Sequence, residues 1–242
     1  MNGKGRIERD GKYVVYHDTG FDIVNDNPNL KYVLVGITPG NNQRPKNDEK
    51  EELGAEFGSI NYKFKKAFSG NMMRPNLGIM FAYINKKTHE GIFDELLESC
   101  GSNIESLFCY SEKSIIDFTS LLKNATFKKT KDGSEKMFNK PNEINEKNKE
   151  LYEQEFLPGF KKDYDEVYSH RDVIYIACGV QVYNFLITNM GIDKNKVIAI
   201  VHPSPSAQYY IKSFIGAYAD QNKRYNPERL YEKKNSEQQP NN

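Results

Sequence analysis

The sequence predicts a three-layer α/β sandwich with a mainly parallel, four-stranded central sheet. Three observations carry that expectation. Short apolar runs at residues 32–35, 104–109, 172–178 and 196–201 alternate with longer stretches of helical character. The third run contains Val173-Ile174-Tyr175-Ile176-Ala177, which has no charge, as strands buried on both faces of a parallel sheet require. Three of the runs stop on Gly or Pro: Gly36-Ile37-Thr38-Pro39-Gly40, Gly179, and His202-Pro203-Ser204-Pro205. Right-handed crossovers would gather these strand-end loops on one rim, where open α/β sheets bind ligands.

Residues 1–30 are polar apart from an aromatic run at 13–16, which reads as an edge strand or hairpin leading into the first core strand. His17 reads there as a surface or structural residue. The charged stretch 47–52 starts a helix that continues unevenly over 51–68, with Gly54 and Gly58 as interruptions. Arg74-Pro75 resists helix continuation, so 71–76 reads as a loop and 77–84 as apolar chain packed under the sheet. Residues 93–100 form a short helix stopped by Gly101.

Residues 104–109 are the expected second strand, and 114–122 a helix or irregular connector. Residues 123–149 are rich in Lys, Asn, Glu, Gly and Pro, and read as a mobile surface insertion. Its cluster Lys128-Lys129-Thr130-Lys131 is either a solvated loop or a contact for a phosphate backbone. Residues 151–168 are helical with a break at Pro158-Gly159. Gly179 turns the chain into a helix over 180–190, and the last strand runs directly into His202. A final helix over 208–219 precedes a charged tail.

At 242 residues, one elaborated domain over 1–222 and a disordered polar tail over 223–242 are expected. Hydrophobic content of 38% and aromatic content of 12% argue against wholesale disorder. The net charge of +1 gives no global field for nucleic acid, so any such binding needs a local patch. Cys100, Cys109 and Cys178 match no metal spacing, and Cys109 and Cys178 sit in apolar runs that make them core residues. No metal or cofactor is expected. With no signal peptide and no membrane-length apolar run, a monomer in the reducing cytoplasm is the default.

Two strand exits carry chemistry. His202 precedes Pro203 and Pro205, which stiffen the loop and remove two N–H donors. Ser204 and Ser206 add hydroxyls and backbone N–H groups. A fixed imidazole beside such donors suits an anion developing on a carbonyl oxygen, or a phosphate. The same residues also read as a capped helix start, with Ser204 or Ser206 as N-cap.

Together, Gly36-Ile37-Thr38-Pro39-Gly40 and His202-Pro203-Ser204-Pro205-Ser206-Ala207 resemble the two signature motifs of the uracil-DNA glycosylase superfamily. The resemblance spans residues 30–220. It implies that family's fold, DNA as partner, and an enzyme that flips a nucleotide out of DNA and hydrolyses its N-glycosidic bond. In that family the first loop positions the attacking water and the histidine stabilises the departing base. Thr38 and His202 are then the catalytic pair. Gly36, Ile37, Gln43, Phe57 and Tyr110 would contact the base, and Pro39, Gly40, Ser204 and Ser206 the DNA phosphates.

The family's base-reading asparagine follows the second strand, where this chain offers Tyr110-Ser111. Tyr209 or Tyr210 would replace the apolar wedge at the position of Ser206. Lys212, Lys223 and Arg224 are further DNA contacts. Thr38 stands where the family has Asp or Asn, and a hydroxyl is a poor general base. Three readings follow: a glycosylase for uracil or another modified base, a protein of that fold that binds DNA, a base or a nucleotide without turnover, and an unrelated α/β hydrolase or nucleotide binder.

Overall fold

The computed structural model describes residues 5–17, 23–40, 56, 58–70, 72–101, 103–204, 207 and 210–211. The chain opens with a hairpin of β1 (Arg6–Arg9) and β2 (Tyr13–Tyr16), followed by β3 (Tyr32–Gly36). Among the described residues, three α-helices come next: α1 (Ile60–Lys66), α2 (Met73–Lys87) and α3 (Asp94–Cys100). Three strands follow: β4 (Ile116–Ser120), β5 (Ala125–Lys129) and β6 (Glu135–Met137). A helical stretch runs through α4 (Lys149–Leu151), a π-helical segment (Tyr152–Lys161) and α5 (Lys162–Glu166). Then come β7 (Ile174–Cys178), α6 (Val180–Thr188) and β8 (Val197–Ile200).

The central sheet has the order β4-β3-β7-β8, and each pairing is parallel. Strand alternation divides its side chains between two cores. Tyr32, Leu34, Phe118 and Ile176 face one, which Phe64, Leu77, Phe81 and Leu96 of α1–α3 cover. Val33, Val35, Tyr175 and Ala177 face the other, covered by Phe156 and Phe160 of the π-helical segment and Val182 and Phe185 of α6. Each large apolar side chain buried this way contributes about 1.5–3 kcal/mol. The layering is that of an α/β sandwich, as expected.

The second strand is displaced from its expected place. Residues 104–109 carry a 3-10 turn, Ile104–Phe108, capped by the Asn103 side chain. The strand is β4, in the stretch expected to be a helix or connector. Its polar members hid it. Asp117 is fully buried, yet Lys63 Nζ, 54 positions away, donates to it at 2.6 Å. Tyr168 Oη (2.7 Å) and the N–H groups of Phe118 (2.8 Å) and Asn25 (3.0 Å) complete its shell. Lys63 also donates to the Ile23 carbonyl at 2.6 Å.

Residues 123–149 are not a mobile insertion either. β5 pairs with β2 and β6 with β5, so the opening hairpin grows into a second, antiparallel sheet of order β1-β2-β5-β6. Ala125, Thr126 and Phe127 are buried. The basic cluster is largely neutralised: Lys128 pairs with Glu143 at 2.8 Å and Lys129 with Glu8 at 2.5 Å.

Two smaller expectations also change. Pro75 lies inside α2 rather than in a loop, because it is the third helical residue, where the missing N–H has no partner within the helix. Cys109 is exposed, whereas Cys178 is buried. The break at Gly159 (φ −94°, ψ −112°) and the left-handed Gly179 (φ +97°) fall where the sequence puts them. Of the helix expected over 51–68, the described part is α1. The tail lies outside the described residues, as does most of the final helix. Among the described residues, no helix is long and apolar enough to cross a membrane.

Candidate functional site

Parallel pairing sets the strand ends level. Gly36 stands beside Ser120, Val35 beside Ala177, and Cys178 beside Ile200. The four carboxyl ends therefore share one edge. Leaving that edge are Ile37-Thr38-Pro39-Gly40, Leu121-Leu122-Lys123-Asn124, Gly179 and Val201-His202-Pro203-Ser204. Only β7 separates β3 from β8, so their ends stand about 10 Å apart.

The first loop is held by β4. The N–H of Leu121 donates to the Gly36 carbonyl and that of Leu122 to the Ile37 carbonyl, both at 3.0 Å. Ile37 packs on the second core, Pro39 is buried and Gly40 half-buried. The Thr38 hydroxyl donates to the Asn124 carbonyl at 2.8 Å and accepts the Thr126 N–H at 2.9 Å. It is a strut between this loop and the start of β5, with one lone pair left over.

The second loop is anchored by α2. Asn76 is buried and donates Nδ2–H to the Pro203 carbonyl at 2.8 Å. The Ser204 N–H donates to His202 Nδ1 at 3.3 Å. That bond makes Nδ1 the acceptor, so a neutral ring carries its proton on Nε2. His202 is exposed by surface area, and the desolvation that remains from the neighbouring protein lowers its pKa from the ordinary imidazole value. At neutral pH the group is therefore an uncharged imidazole with an Nε2–H donor.

With β4 as the second strand, the segment that follows it ends in Asn124. Tyr110 instead precedes β4, and its ring meets Phe64 edge-on at 5.2 Å. Asn124 is 9% exposed. Its Nδ2 donates to Glu155 Oε2 at 3.0 Å, while its Oδ1 is buried without a hydrogen-bond partner among the described residues. Glu155 is itself buried. Its Oε1 accepts from Arg9 Nε at 2.8 Å and lies 3.3 Å from His17 Nε2. Burial pushes its pKa up, but hydrogen bonds from His17, Asn124 and Arg9 outweigh that and hold it below the usual carboxylate range.

Thus Gly36, Ile37, Thr38, Pro39, Gly40, His202 and Ser204 belong to loops on one edge, and Tyr110 does not. Gln43, Phe57 and Ser206 lie outside the described residues, with Tyr209, Lys212, Lys223 and Arg224. Tyr210 is exposed. Asn76, Asn124 and Glu155 were missed. Only Asn124 had a local signal, closing the run Ser120-Leu121-Leu122-Lys123-Asn124 before a β-prone stretch. A cavity of about 350 Å³ lies elsewhere, between Pro141-Asn142 and Gln181, Asn184, Phe185, Thr188 and Asn189, and contains none of the loop residues. In comparisons with known proteins, no family model and no curated protein matches the chain.

Proposed function

We propose that this protein is a divergent member of the uracil-DNA glycosylase superfamily that hydrolyses the N-glycosidic bond of a flipped uracil or other modified base in DNA. One observation carries the reading: the Gly36 and His202 loops, which bear the two motifs, leave parallel strands at the same sheet edge. Negative charge develops on the departing base, and the Nε2–H of His202 donates to the carbonyl oxygen where it collects. The sugar becomes oxocarbenium-like and is attacked by water. The remaining lone pair of Thr38 and the carbonyls of its loop orient that water. Asn124, following β4, takes the base-reading position.

The test is abasic-site formation on oligonucleotides containing uracil, xanthine or hypoxanthine. Wild-type protein is expected to cleave at least one, and His202→Ala to be slower by about 100-fold or more. No cleavage by wild type, or equal cleavage by the variant, counts against it.

A second reading has its own support. The Thr38 proton and one of its lone pairs are committed to Asn124 and Thr126, and no carboxylate replaces them in that loop. This favours binding of DNA, a base or a nucleotide without turnover. Saturable binding that weakens with salt, with no abasic product, selects it.

A further inference from the structure

We propose that β1 is a dimerisation edge, at which two copies of the chain pair their Arg6–Arg9 strands antiparallel about a twofold axis at Ile7. The two antiparallel sheets would then run on as one. The pairing stands whether or not the carboxyl edge binds a base. β1 ends the sheet β1-β2-β5-β6, and no described strand pairs with its outer side. An unpaired edge offers a row of N–H and C=O groups to another strand. Arg6, Ile7 and Glu8 are exposed in succession, and Ile7 is 39% exposed.

The hairpin decides which backbone groups point outward. The His17 N–H donates to the Gly5 carbonyl at 2.8 Å. From there the register sets Arg6 opposite Tyr16, Ile7 opposite Val15 and Glu8 opposite Val14. Hydrogen-bonded pairs alternate along an antiparallel ladder. Gly5 and Ile7 therefore turn their backbone groups to β2, while Arg6 and Glu8 turn theirs to the free edge.

A second β1 must then match these two residues with the same two of its copy. Centring the axis on Arg6 or on Glu8 sets like charges opposite each other, which is destabilising. Centring it on Ile7 sets each Arg6 opposite the Glu8 of the other copy. Each such pair exchanges two backbone hydrogen bonds, and the two Ile7 residues meet as a close pair between them. The charges that guard this edge thus repel only in the wrong registers. Their neighbours fit the same arrangement. Lys129 pairs with Glu8 at 2.5 Å and Glu135 with Arg6 at 3.1 Å. Across the axis the charges alternate, from Lys129 to Glu8 to the second copy's Arg6 and Glu135. The ion pairs are exposed and the strand is short, so the dimer is weak.

Sedimentation equilibrium of the full chain over about 10–1000 μM tests this, with a wild-type dissociation constant expected on the order of 100 μM. Arg6→Glu and Glu8→Arg each set like charges opposite and should weaken the dimer by about 10-fold or more. The double variant restores opposite charges and should return to within about threefold of wild type. An equimolar mixture of the two single variants should form heterodimers for the same reason. Circular dichroism confirms that each variant is folded. The register is read by cross-linking under mild oxidation in a Cys109→Ser background, which removes an exposed thiol. Ile7→Cys should cross-link, since Cα atoms about 4.5 Å apart across the axis suit a disulfide. Glu8→Cys should not, because its two copies would lie about 9 Å apart.

Wild type that stays monomeric up to about 1 mM overturns the proposal. So does a dimer that survives the single reversals unchanged, or a folded double variant that fails to recover. Cross-linking through Glu8→Cys but not Ile7→Cys overturns it, as does growth beyond a dimer, which marks head-to-tail pairing of β1 with β6.

Discussion

His202 and Asp117 show how far burial and partners move a charge. Neighbouring protein partly desolvates the His202 ring and lowers its pKa, while an unfolded histidine titrates near about 6.5. Above that pH both states are neutral and the contribution to stability is complete. As pH falls from about 6.5 toward the lower folded value, the unfolded chain takes up a proton that the folded ring refuses, and stability is lost. An NMR titration of the His202 imidazole should give a midpoint below about 6.5; a midpoint at or above it contradicts the assignment. Lys63 is deeper: burial outweighs the attraction of Asp117 and brings its pKa down to about 8. Asp117→Asn would strand that ammonium without a counter-charge. Urea unfolding should show a loss of about 3–5 kcal/mol, and a loss under about 1 kcal/mol would mean the pair is not needed.

At the scale of elements, α2 holds the second loop through the hydrogen bond from Asn76 to the Pro203 carbonyl. Asn76→Ala would leave the Pro203 carbonyl without its donor, at a cost of about 1–3 kcal/mol. Amide exchange at His202 and Ser204 should speed up more than exchange in β7, and uniform acceleration would count against a local anchor. Which elements the sequence revealed follows from where their partners lie. β3, β7 and β8 were legible because uncharged runs next to Gly or Pro report burial on both faces locally. β4 was not, because the Lys63 that neutralises Asp117 is distant in sequence. β5 looked like surface chain because its Lys128 and Lys129 are paired with Glu143 and Glu8, which no local pattern displays. The apolar run at Ile104–Phe108 was too short to tell strand from helix.

Across the whole molecule, two sheets meet where β4 leaves one and β5 enters the other. Thr38, Asn124 and Glu155 span that junction, so the hairpin sheet reaches the loops of the core sheet through hydrogen bonds. The two loops of the site were legible because each sits at the end of a readable strand. Asn124 became visible only once the second strand was found, and Glu155 looked like any helical surface glutamate. The central claim is that both loops face one ligand. Hydrogen–deuterium exchange of the full chain, with and without single-stranded DNA carrying one 2′-fluoro-deoxyuridine, tests it most directly. Slowed exchange in both 36–40 and 201–204 is expected on binding. Slowing in one loop alone, or in neither while the DNA is bound, would contradict a shared site.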